Sequence, residues 1–271
     1  MPSASACAIA APSVARPFVS RHSPRSPRRV RVSYRVVTAG VMIDASSASA
    51  SSPKPRLVLF GSQGSRSPLV NWYMHELGLP FSVRPPSDSG NPHPFGQIPA
   101  LVDFTDSSTD AVAADLECVQ LWESGAILSY LGDRHGDLDT PKKRANASKW
   151  ILWANASLDP CLFKENERGQ VLDTGARVVG KQEPPKALQR LEKVLAASQS
   201  GWLLKEGFGP GDVAVGAYLL YVPQFFRDVS FSRWPKICDY MKRCASRPAY
   251  AEAYGDDVAE FLVNKCTEWI E

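Results

Sequence analysis

Residues 91–101 read Asn91-Pro-His-Pro-Phe-Gly-Gln-Ile-Pro-Ala-Leu101, and farther on the chain reads Leu121-Trp-Glu-Ser-Gly-Ala-Ile-Leu128. An apolar residue, a proline and a short apolar run predict a chain reversal that feeds an edge strand. Pro99 fixes φ there and allows a cis bond to Ile98. Glu123-Ser124 before Gly-Ala-Ile-Leu reads as a polar turn opening a helix, with Ser124 as its N-cap. A peptide laid against Ile98 would meet backbone hydrogen-bonding groups on one side. On the other it would meet a helix N-terminus bearing a carboxylate.

Upstream, residues 56–60 are an apolar run that predicts a buried strand, followed by the polar turn Gly61-Ser-Gln-Gly-Ser-Arg-Ser67. Pro68 suits the first helical position after an N-cap at Ser67, and Gly78 with Pro80 beyond it predicts the stop. Residues 81–84 form a short strand candidate. Residues 100–103 and 116–121 read as a strand pair joined by a Ser/Thr/Asp-rich loop at 104–115. With a closing helix at 125–135, these elements predict a small α/β domain of the thioredoxin type over 53–136. A polar linker is expected at 137–146, including a crossover at 140–144, and only helical patterning after it. Apolar residues at helical spacing mark core helices around Trp150 to Leu158, at 187–199, at 212–226 and at 237–245. The fold class expected is therefore α/β plus all-α: a thioredoxin-like N-terminal domain followed by a helical C-terminal domain, 147–271.

The 271 residues are 44% hydrophobic, enough for a real core. The net charge of +3 is unevenly spread. Residues 1–52 hold seven arginines and one acid, Asp44, a balance of +6 that leaves −3 for the remainder. The body is mildly acidic and offers no basis for nucleic-acid binding. The Ser/Ala/Arg-rich segment at 1–52 has the composition of an organelle transit peptide and linker. Its prolines interrupt an amphipathic helix, which favours a plastid address over a mitochondrial one. A retained disordered basic arm is the third reading. No apolar run approaches the length that spans a bilayer. The six cysteines show no C-x-x-C and the four histidines no metal spacing, so neither a metal site nor a dithiol centre is expected.

From about Arg56 to Tyr254 the order of elements resembles the soluble glutathione S-transferases, in a serine-type form like those of plants, algae or cyanobacteria. The resemblance rests on the strand-turn-helix at 57–78, on the two stretches quoted above, and on Phe208-Gly-Pro-Gly-Asp-Val-Ala-Val-Gly216. It implies that glutathione is the co-substrate. Ile98 would offer its backbone to the cysteinyl part ahead of a cis Pro99, while Gln97, Glu123 and Ser124 hold the γ-glutamyl end. That end carries an ammonium and a carboxylate, which a carboxylate side chain and a helix N-terminus complement. A small hydrophobic electrophile or a peroxide would be the second substrate, in a pocket walled by the helix around Trp150 to Asp159 and by the start of 212–226. Family members mostly form dimers, so a homodimer is implied.

Activating a thiol needs a donor near the N-terminus of the first helix, and relatives place Ser, Tyr or Cys in that turn. Here it holds Ser62, Ser65 and Ser67, without Tyr or Cys. Ser67 before Pro68 reads as the N-cap with its hydroxyl committed to backbone, so Ser65 is the expected donor and Ser67 the reserve. Without a cysteine the turn fits transfer rather than mixed-disulfide reduction. A dehalogenase or isomerase using the same thiolate, or an idle ligand-binding or protein-interaction module of this fold, are the alternatives. Two departures stand out. Residues 83–91 are too short for a full second helix, so the basic residues that relatives place on the glycine carboxylate have no clear match here. Arg84 and His93 are candidates, and His93 between two prolines reads rather as a loop histidine. Gly209 replaces Ser or Thr at the cap of a capping box completed by Asp212, which reads as structural.

Because residues 1–50 cannot bury a core, a chain starting near Ser52 is expected to keep the thermal midpoint of the full chain. A large loss of stability on that truncation refutes the leader reading.

Overall fold

Burial on both faces explains why β1, Leu57–Phe60, is apolar at every position. It is an interior strand of a four-stranded sheet of order β2-β1-β3-β4. Here β2 is Phe81–Arg84, β3 is Ala100–Asp103 and β4 is Val119–Trp122. β1 pairs in parallel with β2, Leu57 opposite Phe81, and antiparallel with β3, Leu59 opposite Leu101. β3 and β4 pair antiparallel, Ala100 opposite Trp122. This computed structural model describes residues 56–104, 118–165, 171–173 and 185–271. The expected leader at 1–52, most of the expected loop at 104–115 and the first residues of the expected strand at 116–121 lie outside the described residues. All described residues fall in one compact unit, Ser52–Glu271.

Helix α1, Ser67–Glu76, crosses between β1 and β2, and α2, Ser124–Arg134, closes the α/β part. Both lie on the sheet face carrying Leu57, Leu59 and Leu101, and that core continues without a break into the helical part. The opposite face holds a smaller cluster of Val58, Phe60, Ala100 and Val102. Between β2 and β3 the chain makes turns only, so no second helix is present, as the short Pro/Ser/Gly segment predicts.

The helical part differs from expectation in three places. The polar crossover at 140–144 is the first turn of α3, Pro141–Trp153, with the Thr140 hydroxyl accepting the Lys143 N–H at 3.2 Å. The linker expected at 137–146 therefore ends at Thr140. The core helix around Trp150 to Leu158 is not uniform. It passes through a π-helical turn, Ala154–Leu158, into the short α4, Asp159–Leu162. Pro160 has no N–H for an i→i−4 bond, and a widened turn absorbs that loss. The second half is also not purely helical, since β5, Lys164–Glu165, pairs antiparallel with β6, Val171–Asp173. Then follow α5 (Lys186–Ala197), α6 (Pro210–Phe225), α7 (Pro235–Ala245), α8 (Pro248–Tyr254) and α9 (Asp256–Ile270). No described helix is long and apolar enough to cross a membrane.

Two polar anchors hold these parts. Asp212 is fully buried at the start of α6. Its carboxylate accepts the Leu203 N–H (3.0 Å), the Gly209 N–H (3.1 Å) and the Tyr240 hydroxyl (3.1 Å). Burial pushes this carboxyl up to about 6 against the pull of those donors. Glu76, at the end of α1, accepts from Arg247 Nε (2.6 Å) and Nη2 (2.7 Å) and from Trp72 Nε1 (2.8 Å). The Arg247 guanidinium also lies 3.8 Å over the Phe208 ring.

Asp212→Ala leaves the Leu203 and Gly209 N–H groups without their acceptor, while the Tyr240 hydroxyl keeps only the carbonyl of residue 212, at 3.2 Å. Urea unfolding is expected to show a loss of about 3–5 kcal/mol. Asp212→Asn keeps an acceptor and is expected to lose less; equal losses in the two variants contradict this account.

Candidate active site

The turn between β1 and α1 sits under one steric constraint. A Cβ on Gly61 would fall 2.4 Å from the Ser67 Cβ, so only glycine allows the turn to fold back on the helix start. Within the turn the hydroxyls do not divide as the sequence predicts. Ser67 is the first residue of α1 and is buried, and Arg66 occupies the cap position without a side-chain capping bond. The Ser65 hydroxyl does the local work: its oxygen accepts the Ser67 N–H at 3.0 Å. It also lies 2.8 Å from the Ser62 carbonyl, to which it donates, and 2.8 Å from the Ser67 Oγ. The expectation of Ser67 as N-cap is corrected, because Pro68 falls at the second helical position and shifts the cap to Arg66.

Ser65 faces a cavity of about 520 Å³ that also takes in Gly64, Arg66 and Ile98. The Ile98-Pro99 bond is cis, as expected. Pro99 itself is buried, and Gln97 is exposed. At the start of α2 the cap residue is Glu123, not Ser124, and Ser124 is the first helical residue. Glu123 has φ 66° and ψ 118°, a region costly for a residue with a side chain, and its carboxylate side is exposed. Ser124 is buried, with its side chain near the Tyr218 phenol. None of Gln97, Pro99, Glu123 and Ser124 lines the cavity that Ser65 and Ile98 share. His93 accepts the Phe95 N–H on Nδ1 at 3.1 Å, which shapes its own loop, and Arg84 sits 3.7 Å from Asp88.

The opposite wall comes from the helical part: Asp159, Phe163 and, from α6 and its end, Tyr218, Tyr221, Phe225 and Phe226. The expected walls are corrected in part: Asp159, the last residue of the expected stretch 150–159, does line the cavity. The end of α6 faces the cavity instead of its start, and Trp150 and Trp153 line a separate groove with Leu191 and Val194. The π-turn produces this arrangement by setting Asn155 and Asp159 toward α1 and α2. Asn155 packs so closely on Gly125 that a Cβ there would meet its Nδ2 at 2.8 Å. The Tyr218 hydroxyl donates to Asn155 Oδ1 at 3.0 Å. Asp159 and Arg66 pair at 2.5 Å across the cavity, with Arg66 over the Tyr218 ring. Burial pushes the Tyr218 phenol up to about 12, so it stays protonated. Sequence reading placed the stretch 150–159 on the pocket wall but singled out none of Asn155, Asp159, Tyr218 and Tyr221; their spacing along 155–159 and 218–221 matches ordinary core helix. Among the described residues no cluster of His, Cys, Asp or Glu could hold a metal ion.

Residues 176–248 match the family described as "Glutathione S-transferase, C-terminal domain". The chain is 26% identical over 186 residues to the glutathione S-transferase GstB of Escherichia coli K12, covering 64% of this chain and 80% of that protein. It is 27% identical over 172 residues to the disulfide-bond oxidoreductase YfcG of the same organism, covering 59% and 72%. Among solved structures, the glutathione transferase URE2P5 of Phanerochaete chrysosporium superposes with TM-score 0.57 at 20% identity, covering 79% of this chain and 99% of that one. A Burkholderia graminis glutathione transferase, with two glutathione molecules bound per subunit, gives 0.56 at 21%, covering 74% and 88%. The sequence matches support membership of the glutathione S-transferase superfamily. The structural ones establish the fold, thioredoxin-like and then helical.

Since Ser65 rather than Ser67 holds the first N–H of α1, Ser65→Ala is expected to cost about 0.5–1 kcal/mol of stability. Ser67→Ala should cost less through its hydroxyl. Thermal unfolding of the two variants checks the order, and a reversed order refutes the capping geometry.

Proposed function

We propose that the protein is a glutathione S-transferase of the serine type, activating the glutathione thiol for attack on an apolar electrophile or a peroxide. The observation that carries this reading is that Ser65, at the N-terminus of α1, and Ile98, before the cis bond, line one cavity whose far wall is aromatic. The backbone of Ile98 takes the cysteinyl part. Glu123 meets the γ-glutamyl ammonium, the start of α2 with Ser124 meets its carboxylate, and Gln97 adds a polar contact. Ser65 turns its hydroxyl from the Ser62 carbonyl to the sulfur, where the positive end of α1 also favours the thiolate. Arg66, held by Asp159, adds positive charge beside it. Phe163, Phe225 and Phe226 hold the electrophile and exclude water. The sulfur–carbon bond forms as the bond to the leaving group breaks with its electron pair, and the thiol proton passes to water.

Glutathione bound to the Burkholderia graminis relative supports the choice of co-substrate. The arginine-rich segment 1–52 supports a plastid address, a mitochondrial one being the alternative, and the protein acts as a homodimer in this reading. A second reading, thiolate attack on a substrate disulfide, draws on the likeness to the Escherichia coli disulfide-bond oxidoreductase. A turnover panel containing electrophiles, peroxides and a mixed disulfide separates the two.

Glu123→Ala is expected to weaken glutathione binding in calorimetry by roughly tenfold to a hundredfold, the worth of one charged hydrogen bond. Ser65→Ala should bind nearly normally and lose most turnover. Failure of the parent to bind glutathione supports the idle module instead. Thiolate absorbance that survives Ser65→Ala and vanishes in Ser67→Ala identifies Ser67 as the donor.

A further inference from the structure

Two tyrosines of α6 face the cavity, and their hydroxyl protons are differently spent. Tyr218 donates to Asn155 Oδ1 at 3.0 Å. Tyr221 instead accepts, taking the Tyr254 hydroxyl proton at 3.1 Å. Its oxygen also lies near enough to the Leu69 backbone, in the first turn of α1, for its ionised form to be favoured, against the larger effect of burial. Its own proton has no acceptor among the described residues, although the side chain is only 5% exposed. A buried hydroxyl proton left unpaired costs free energy, and it invites an acceptor from whatever fills the cavity. Ser65, by contrast, already has an acceptor in the Ser62 carbonyl.

We infer that Tyr221 is a catalytic residue whose hydroxyl donates to the thiolate sulfur, from the helical part of the chain and opposite Ser65. The inference rests on the glutathione transferase reading above and deepens it. The positions agree: Tyr221 reaches the first turn of α1, where the helix N-terminus draws negative charge, and it shares the cavity with Ser65 and Ile98. The hydrogen bond from Tyr254 polarises the Tyr221 O–H and makes it a better donor. Burial, the main cause, raises the phenol well above its ordinary value, so Tyr221 keeps its proton and acts by hydrogen bonding. The thiol proton leaves to water. When the sulfur–carbon bond forms and the leaving group departs with its electron pair, sulfur loses its charge and the Tyr221 bond relaxes.

The test is a pH titration of the thiolate absorbance of enzyme-bound glutathione, with no second substrate. Tyr221→Phe keeps the ring in the cavity wall and removes only the donor. The pKa of bound glutathione is expected to rise by about one to two units, the equivalent of one hydrogen bond to a charged atom. Glutathione affinity measured at low pH, where the thiol is protonated in both proteins, should stay within about twofold. Tyr254→Phe, which removes the polarising bond, should shift the pKa in the same direction by less, and it serves if Tyr221→Phe does not fold. Parent-like titration in both variants overturns the role of Tyr221 and leaves the transferase reading standing. A parent that does not bind glutathione overturns both.

Discussion

Helix α1 is buried on nearly every side, and the rest of the molecule is arranged around that constraint. Trp72 and Met74 are sealed within it, and its core contacts run from the sheet on one side into α6 and α8 on the other. A helix so enclosed cannot shift without opening both parts of the protein. The bidentate Glu76–Arg247 pair, shared with Trp72, fixes its far end, while Arg66–Asp159 ties the turn before it to the helical part. Both pairs are partly exposed, so their worth lies more in direction than in energy. What they orient is the N-terminus of α1, where backbone N–H groups and a serine turn meet the cavity.

The cavity draws its chemistry unequally from its two walls. The α/β wall supplies backbone groups, Ser65 and the cis Ile98-Pro99 corner. The helical wall supplies aromatic surface, a carboxylate and two phenols held protonated by burial. The π-turn at Ala154–Leu158 is the joint between them. By taking up the missing N–H of Pro160 it turns Asn155 toward Tyr218 and Asp159 toward Arg66. A regular helix through the same residues would aim them elsewhere.

Local signals carried much of the architecture. Gly78 and Pro80 stop α1, the apolar run of β1 fits a strand covered on both faces, and the Pro/Ser/Gly stretch after β2 leaves no room for a helix. Asp212 kept the capping role its spacing with Gly209 predicts. Other signals were ambiguous because two elements share the same local grammar. Thr140-Pro reads as a crossover or as a capped helix start, and the helix won because Thr140 caps Lys143. Ser67-Pro68 and Glu123-Ser124 each misplaced a cap by one residue, since a hydroxyl's partner depends on backbone angles that composition does not record.

The sequence by itself determined the order of elements in the α/β part, the α/β-then-helical division and the cis corner, because these follow from chain-local periodicity, breakers and turn chemistry. Only the tertiary structure decided which serine faces the cavity, which end of α6 forms its far wall, and which tyrosine keeps an unspent proton. Those depend on Asn155, Asp159 and Tyr254 meeting residues tens of positions away in the chain. Hydrogen bonds and ion pairs are directional and short-ranged, so such meetings are fixed by packing and leave no period in the sequence.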